Sequence, residues 1–208
     1  MPSPAYYQEL WQHLPPDLQP AHFQLRLRFL LERLSPGLRV LDLGCAEGLF
    51  AREILAAGAQ VVAVDVAPEA LRRARHRVPG LDARLLPYTG PWPLQDASFD
   101  LVWSGETIEH VPDTLPWLSQ ARRVLAPGGR LLLTTPNHGL SLRLRLALLP
   151  GAFERHFDPR AEHLRFYTRR SLTALLADAG FPAAHVFRPP WPPAARAVLF
   201  ADAPRSRW

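Results

Sequence analysis

The residues with the most chemical content run from Val40-Leu41-Asp42-Leu43-Gly44-Cys45-Ala46-Glu47-Gly48-Leu49-Phe50 to Val61-Val62-Ala63-Val64-Asp65-Val66. They read as an apolar strand, a turn of small residues, a helix start and a second strand ending in an acid. A small-residue turn lets the backbone approach a nucleoside, and the N–H groups opening the next helix add a local positive potential. The Asp65 carboxylate is placed to accept hydrogen bonds from both hydroxyls of an adenosine ribose. A pyrophosphate suits the site less well, because Asp42 just before the turn would repel it. The dinucleotide fingerprint G-x-G-x-x-G also fails after Gly44. A cofactor with a ribose and a cationic or amine-bearing end fits these acids better.

A second group follows the fourth expected strand: Ser104, Glu106, Thr107, Glu109 and His110. His110 is the best candidate for a general base or a polar pocket residue, close to the expected crevice. Asn137 and His138 follow the fifth strand and should face an acceptor. His163 and Tyr167, beside Arg165 and Phe166, form a candidate substrate-facing patch, with Glu109 near His110. His156 and His163, among Glu154, Asp158 and Glu162, supply no H-x-x-x-H or H-E-x-x-H pair, so no metal is expected. The one cysteine, Cys45, makes neither an internal disulfide nor a thiolate metal site, and it reads as a small packed side chain in the turn.

The elements that hold these groups follow from periodicity and from proline and glycine stops. A helix is predicted over residues 20–34, then strands at Arg39–Leu43 and Gln60–Val64 flanking a helix at Glu47–Ala57. Pro68 opens a helix reaching Arg77. Short strands follow at Leu81–Leu86 and Phe99–Trp103. A helix through Leu115, Leu118, Ala121, Val124 and Leu125 stops at Pro127-Gly128-Gly129, before a strand at Arg130–Thr135. Residues Gly139–Gly151 fit a strand by alternation or a helix by leucine content. Leu172, Leu175, Leu176 and Ala179 mark a last helix, and Ala184–Arg188 with Ala195–Ala201 read as terminal strands joined by a proline-rich turn. Alternating strands and helices make a mainly parallel sheet the economical fold.

At 208 residues and 48% hydrophobic content, the chain fits one domain of ordinary size. No run of about 18 apolar residues occurs, and the first residues lack a secretory pattern, so a cytoplasmic protein is expected. The net charge of +5 comes with arginine as the sole basic residue besides histidine and with 23 prolines. That bias makes arginine content weak evidence for a nucleic-acid partner, and the densest run, Arg72-Arg73-Ala74-Arg75-His76-Arg77, reads as a solvated helix face. Oligomeric state is not legible.

Taken together, Val40–Phe50, Val61–Asp65, Ser98-Phe99-Asp100-Leu101-Val102, Glu109-His110-Val111 and Arg123-Val124-Leu125-Ala126-Pro127-Gly128-Gly129 resemble the class I S-adenosylmethionine-dependent methyltransferases. The resemblance implies an α/β, Rossmann-like fold. Its mainly parallel seven-stranded sheet would carry an antiparallel C-terminal strand and helices on both faces. The implied activity is transfer of a methyl group from S-adenosylmethionine to an acceptor, leaving S-adenosylhomocysteine. It implicates Asp42, Gly44, Cys45, Ala46, Gly48, Asp65, Val66 and Ser104 in cofactor binding, with Asp82 or Tyr88 near the adenine. Ala46 stands where the family usually has glycine. A small-molecule acceptor is favoured, with oxygen slightly ahead of nitrogen and carbon. The rival readings are an RNA or protein methyltransferase and a cofactor-binding partner protein without activity. The expected organisation is a single domain over 1–208. Within it lie a cofactor core at 20–135, a substrate lid at 136–168, and a C-terminal helix and strand pair at 169–201.

Overall fold

The computed structural model describes residues 3–16, 18–158, 162–189 and 197–206. Seven strands form one sheet: β1 Arg39–Leu43, β2 Gln60–Asp65, β3 Asp82–Leu85, β4 Phe99–Gly105, β5 Leu125–Pro136, β6 His185–Phe187 and β7 Val198–Pro204. Their spatial order is β3-β2-β1-β4-β5-β7-β6. The first five run parallel, while β7 lies antiparallel to both β5 and β6. The expected fold class is the observed one, including the antiparallel C-terminal strand.

The sheet is buried on both faces, so its strands are apolar runs whose alternate residues enter different cores. Leu41, Leu43, Val102, Leu131 and Leu133 join one cluster with Trp117, Leu118, Leu172 and Leu176, which come from α5 (Thr114–Val124) and α8 (Arg169–Asp178). Val40, Leu101, Trp103 and Leu132 join the other, with Phe23, Leu30, Phe50, Ile54 and Leu71. Those five belong to α2 (Phe23–Leu31), α3 (Leu49–Ala56) and α4 (Pro68–Arg77). At α8, Thr168 and Ser171 cap each other in a reciprocal capping box, which is why the helix starts there.

Several boundaries differ from expectation for local reasons. Helix α3 starts at Leu49 because Gly48, at φ +80°, takes the left-handed conformation of the turn, leaving Glu47 outside the helix. Strand β5 already begins at Leu125, which pairs with Phe99 across a register shift before Leu101 meets Arg130. The ambiguous 139–151 stretch is helical: α6 Leu140–Leu148 is followed by α7 Ala152–His156. A helix absent from the sequence reading, α1 Pro4–His13, begins where Ser3 accepts the Tyr6 N–H at 3.2 Å and Pro4 fills the first turn. Ala195 and the proline-rich connection at 190–196 lie outside the described residues. Among the described residues, no helix is long and apolar enough to cross a membrane.

In α4, Arg72, Arg75 and His76 are exposed. Arg73 and Arg77 instead tie the helix inward: Arg73 donates to the Leu14 carbonyl at 2.9 Å, and Arg77 donates to the Glu47 carbonyl at 2.9 Å. The solvated-face reading therefore holds for part of the run only.

Candidate active site

The site lies at the carboxyl ends of β1, β2 and β4, where the order of strands reverses between β1 and β4. After β1 the chain folds back on β2: the Val64 carbonyl accepts the N–H groups of both Gly44 and Cys45, each at 2.9 Å, and Gly48 N–H closes on the Cys45 carbonyl at 2.9 Å. Gly44 has φ +80°, and a Cβ there would stand 2.5 Å from the Thr107 hydroxyl. Gly48 packs on Ala74, which a Cβ would approach to 3.2 Å. Ala46 holds φ +51° without being glycine, a conformation that costs a side-chain-bearing residue roughly 1 kcal/mol. Cys45 is buried, and burial followed by the nearby acids raises its thiol well above its ordinary range, so it stays protonated and packs.

Asp65 fastens this turn. Its Oδ2 accepts the Ala46 N–H and its Oδ1 the Ala67 N–H, both at 3.0 Å. Each carboxylate oxygen has a second lone pair, so acceptor capacity remains. Burial raises the Asp65 pKa, and the backbone donors oppose that rise. Asp42 lies deeper, 1% exposed, with Oδ2 unpartnered. Burial first, and the Asp65 charge second, push Asp42 up to about 7, while the Ala51 N–H and Arg26 pull it down.

Above the turn is a cleft of about 420 Å³. Gly44, Cys45, Ala46, Asp65 and Val66 line it, Tyr88 stands on one side, and Tyr7, Leu10 and Trp11 of α1 cover it. Helix α1 is seated there by Gln8, whose Oε1 accepts the Glu69 N–H at 2.8 Å. The far end carries Glu106, Thr107, His110 and Glu162. Of the other expected cofactor residues, Asp42, Gly48 and Ser104 lie outside this lining. Ser104 is 1% exposed on β4 with its hydroxyl unpartnered. Asp82 stands apart: it begins β3, where it pairs with Val62 at the opposite end of the sheet, and its side chain binds Arg84 at 2.6 Å.

The expected acceptor residues form a layer beside His110. The His110 ring donates Nδ1–H to the Glu162 carbonyl at 3.2 Å, and its centroid is 4.8 Å from that of His163. Burial holds His110 below its ordinary 6.5, so it is neutral at pH 7. Glu109 is 1% exposed; its Oε2 accepts the Thr135 hydroxyl at 2.9 Å, while its backbone carbonyl accepts N–H from Leu164 and Arg165 at 2.8 and 3.0 Å. Those two bonds bring His163 alongside. Asn137 bridges to Tyr167 in strand fashion, and His138 donates its N–H to the Tyr167 carbonyl at 2.7 Å. The His138 and His156 Nε2 atoms meet at 3.1 Å. Among the described residues of 136–168, Glu162 alone lines the cleft.

Arg26 is one cleft-lining residue that sequence reasoning missed. Its side chain enters the cleft wall at 2% exposure, donates from Nε to the Thr134 hydroxyl at 3.1 Å, and supplies positive charge toward Glu106, Glu109 and Asp42. Arg26 and Arg28 share one apolar helical pattern, and nothing in the sequence signals that Arg26 points inward while Arg28 is exposed. Trp117 is a second omission; it was not among the residues reading as the face of its helix, yet it reaches the cleft.

A family model described as a methyltransferase domain matches residues 11–186. The chain is 35% identical over 163 residues to the ubiquinone biosynthesis O-methyltransferase of Xanthomonas axonopodis pv. citri, covering 75% of this chain and 68% of that protein. The chain belongs to the class I S-adenosylmethionine-dependent methyltransferases. A further such O-methyltransferase, from Xanthomonas campestris pv. campestris, is 35% identical over 67% of this chain, but this chain spans only 60% of its length. Among solved structures, the fold matches a phosphoethanolamine N-methyltransferase of Haemonchus contortus in complex with S-adenosyl-L-methionine, with TM-score 0.72 and 19% identity. That match covers 98% of this chain and 57% of the other. An S-adenosylmethionine-dependent methyltransferase from Aquifex aeolicus matches with TM-score 0.64 and 20% identity, over 98% and 99% of the two chains.

The methyltransferase cleft fits the family's cofactor on its own chemistry. Its volume falls within the roughly 300–1,000 Å³ of small-molecule sites. Largely apolar and aromatic walls suit an adenine, and the remaining Asp65 lone pairs suit a ribose.

Proposed function

We propose that this methyltransferase methylates an oxygen of a small hydroxylated acceptor. The observation that carries the reading is the neutral His110 imidazole at the far end of a cleft walled mainly by apolar side chains. A hydroxyl is a poor nucleophile until its proton is shared with a nearby group, whereas a neutral amine needs no such help. The O-methyltransferase names of the Xanthomonas relatives support the same acceptor atom.

When bound, S-adenosylmethionine supplies a methyl group on a sulfonium that becomes neutral on transfer. In the proposed arrangement Asp65 accepts the ribose hydroxyls, the Gly44–Ala46 turn wraps the methionine and ribose portion, and Val66 and Tyr88 flank the adenine. Asp42, Gly48 and Ser104 support the turn from below. The α1 aromatics exclude water, which strengthens every polar contact inside. His110 aligns the acceptor hydroxyl, while Glu109, Asn137, His138, His163 and Tyr167 shape the acceptor side. The 136–168 segment acts as the wall over that side, and the whole chain works as one domain. Alignment supplies much of the rate, since in-line displacement needs the attacking oxygen within about 3–3.5 Å of the methyl carbon.

The test is incubation with methyl-labelled S-adenosylmethionine and fractionated host extract, followed by mass identification of the product. Label in a small-molecule fraction, attached to oxygen, is expected. Label found only in RNA or protein, or only on nitrogen or carbon, contradicts the reading.

A further inference from the structure

His138 and His156 bring their Nε2 atoms to 3.1 Å of each other outside the cleft. His138 stands two residues beyond β5 and is buried, with its backbone N–H spent on the Tyr167 carbonyl. His156 is the last residue of α7. The contact therefore joins the end of the sheet to the α6–α7 hairpin, which precedes Glu162 and His163 in the chain.

The hairpin is otherwise thinly held. Helix α6 buries no residue and α7 buries Ala152 alone, while Leu140, Leu144, Leu148, Leu149 and Phe153 are exposed. Among the described residues, the backbone hydrogen bonds of 140–157 close within 139–157. Ring contacts do reach across: Phe166 packs on His138 and on Phe157, with centroids 5.0 and 4.7 Å apart. A segment with so few buried apolar contacts belongs to the low-stability end of a fold, where one polar contact decides whether it stays closed.

The chemistry of this contact is specific. Two neutral imidazoles at such a distance share one N–H, one ring donating Nε2–H and the other accepting at its Nε2 lone pair. A first added proton still leaves a donor facing an acceptor. A second makes both atoms N–H donors on like-charged rings, and the bond is lost. The surroundings favour the neutral pair. Burial first and His156 next hold His138 below its ordinary 6.5, with His163 adding to them and the Pro136 and Tyr167 carbonyls opposing. Burial first and Arg145 of α6 second hold His156 low.

We propose that the His138–His156 pair is a proton-released latch, which fastens the α6–α7 hairpin to the end of the sheet when neutral and frees it when both imidazoles are charged. Because the closed state depresses both histidines, closure is fully favoured above about pH 6.5 and is lost as pH falls below it. Release loosens the segment that carries Glu162 to the cleft. That consequence rests on the acceptor-side reading of 136–168; the latch itself does not.

The test is hydrogen–deuterium exchange of the full chain at about pH 7.5 and about pH 5.5, corrected for the intrinsic pH dependence of amide exchange. Protection of 140–157 is expected to fall by about tenfold or more at the lower pH, while the amides of β1 and β2 keep theirs. Two variants of the half-buried His156 remove the titration: His156→Gln keeps a polar side chain, and His156→Phe keeps the ring contacts. In each, with β1 and β2 protection intact, the hairpin should exchange alike at both pH values. Equal wild-type protection at the two pH values overturns the latch, as does an undiminished pH response in either folded variant. No acceptor enters this measurement, so its failure is distinct from failure of the oxygen-acceptor reading, which the labelled product decides.

Discussion

Asp65 Oδ2 accepts the Ala46 N–H at 3.0 Å, so the acid ending β2 also clamps the turn that follows β1. The same carboxylate therefore shapes the turn and faces the cleft. Asp65→Ala is expected to weaken S-adenosylhomocysteine binding by about 10- to 100-fold, from loss of charged hydrogen bonds worth roughly 1.5–3 kcal/mol. Calorimetric titration measures it, and unchanged affinity removes the ribose role.

Gly44 and Thr107 form a second pair, with no space between them for a methyl group. Gly44→Ala should destabilise the fold by about 1–3 kcal/mol, through the left-handed backbone and the contact with the threonine hydroxyl. Adding Thr107→Ala should restore the contact part and leave the backbone part. Urea unfolding of the two single variants and the double variant gives the coupling, and strictly additive effects would contradict the close approach.

The buried Asp42 predicts a pH dependence with a definite sign. Its folded pKa, about 7, exceeds the ordinary 3.8. Between those values the unfolded chain has released the proton that the folded chain retains. Its contribution to stability is thus full below about pH 4 and is lost as pH rises toward 7. Asp42→Asn should therefore gain on the wild type across that window, by up to about 4 kcal/mol. A difference curve from chemical unfolding that is flat with pH, or of opposite slope, would show that Asp42 ionises normally.

His110→Ala should lower turnover by about 100-fold while changing cofactor affinity little. Because burial places its pKa below 6.5, wild-type kcat should stay level above that pH and fall in acid. Full turnover in the variant would remove His110 from the acceptor side.

The parts legible in sequence are those set by local chemistry. The β1 and β2 runs and the Gly44–Gly48 turn declare themselves through apolar runs, small residues and stops. Helix α1 also had its signal, Ser3 before Pro4, but its short apolar pattern was too weak to read as a helix. Asp82 was placed by distance along the chain, whereas β3 turns out to start there and carry it to the wrong end of the sheet for the cleft. Arg26, and the pairing of His163 with His110, were illegible for a different reason. Each reaches the site through a tertiary contact, Arg26 with Thr134 and His163 through the backbone bonds of Leu164 and Arg165 to the Glu109 carbonyl, and such contacts leave no periodic trace.

The most direct measurement is a crystal structure of the protein with S-adenosylhomocysteine, accompanied by a binding titration. The account predicts saturable binding, the homocysteine portion over Gly44–Ala46, and both ribose hydroxyls on Asp65. A cleft that stays closed to the nucleoside, with no affinity in solution, would contradict it.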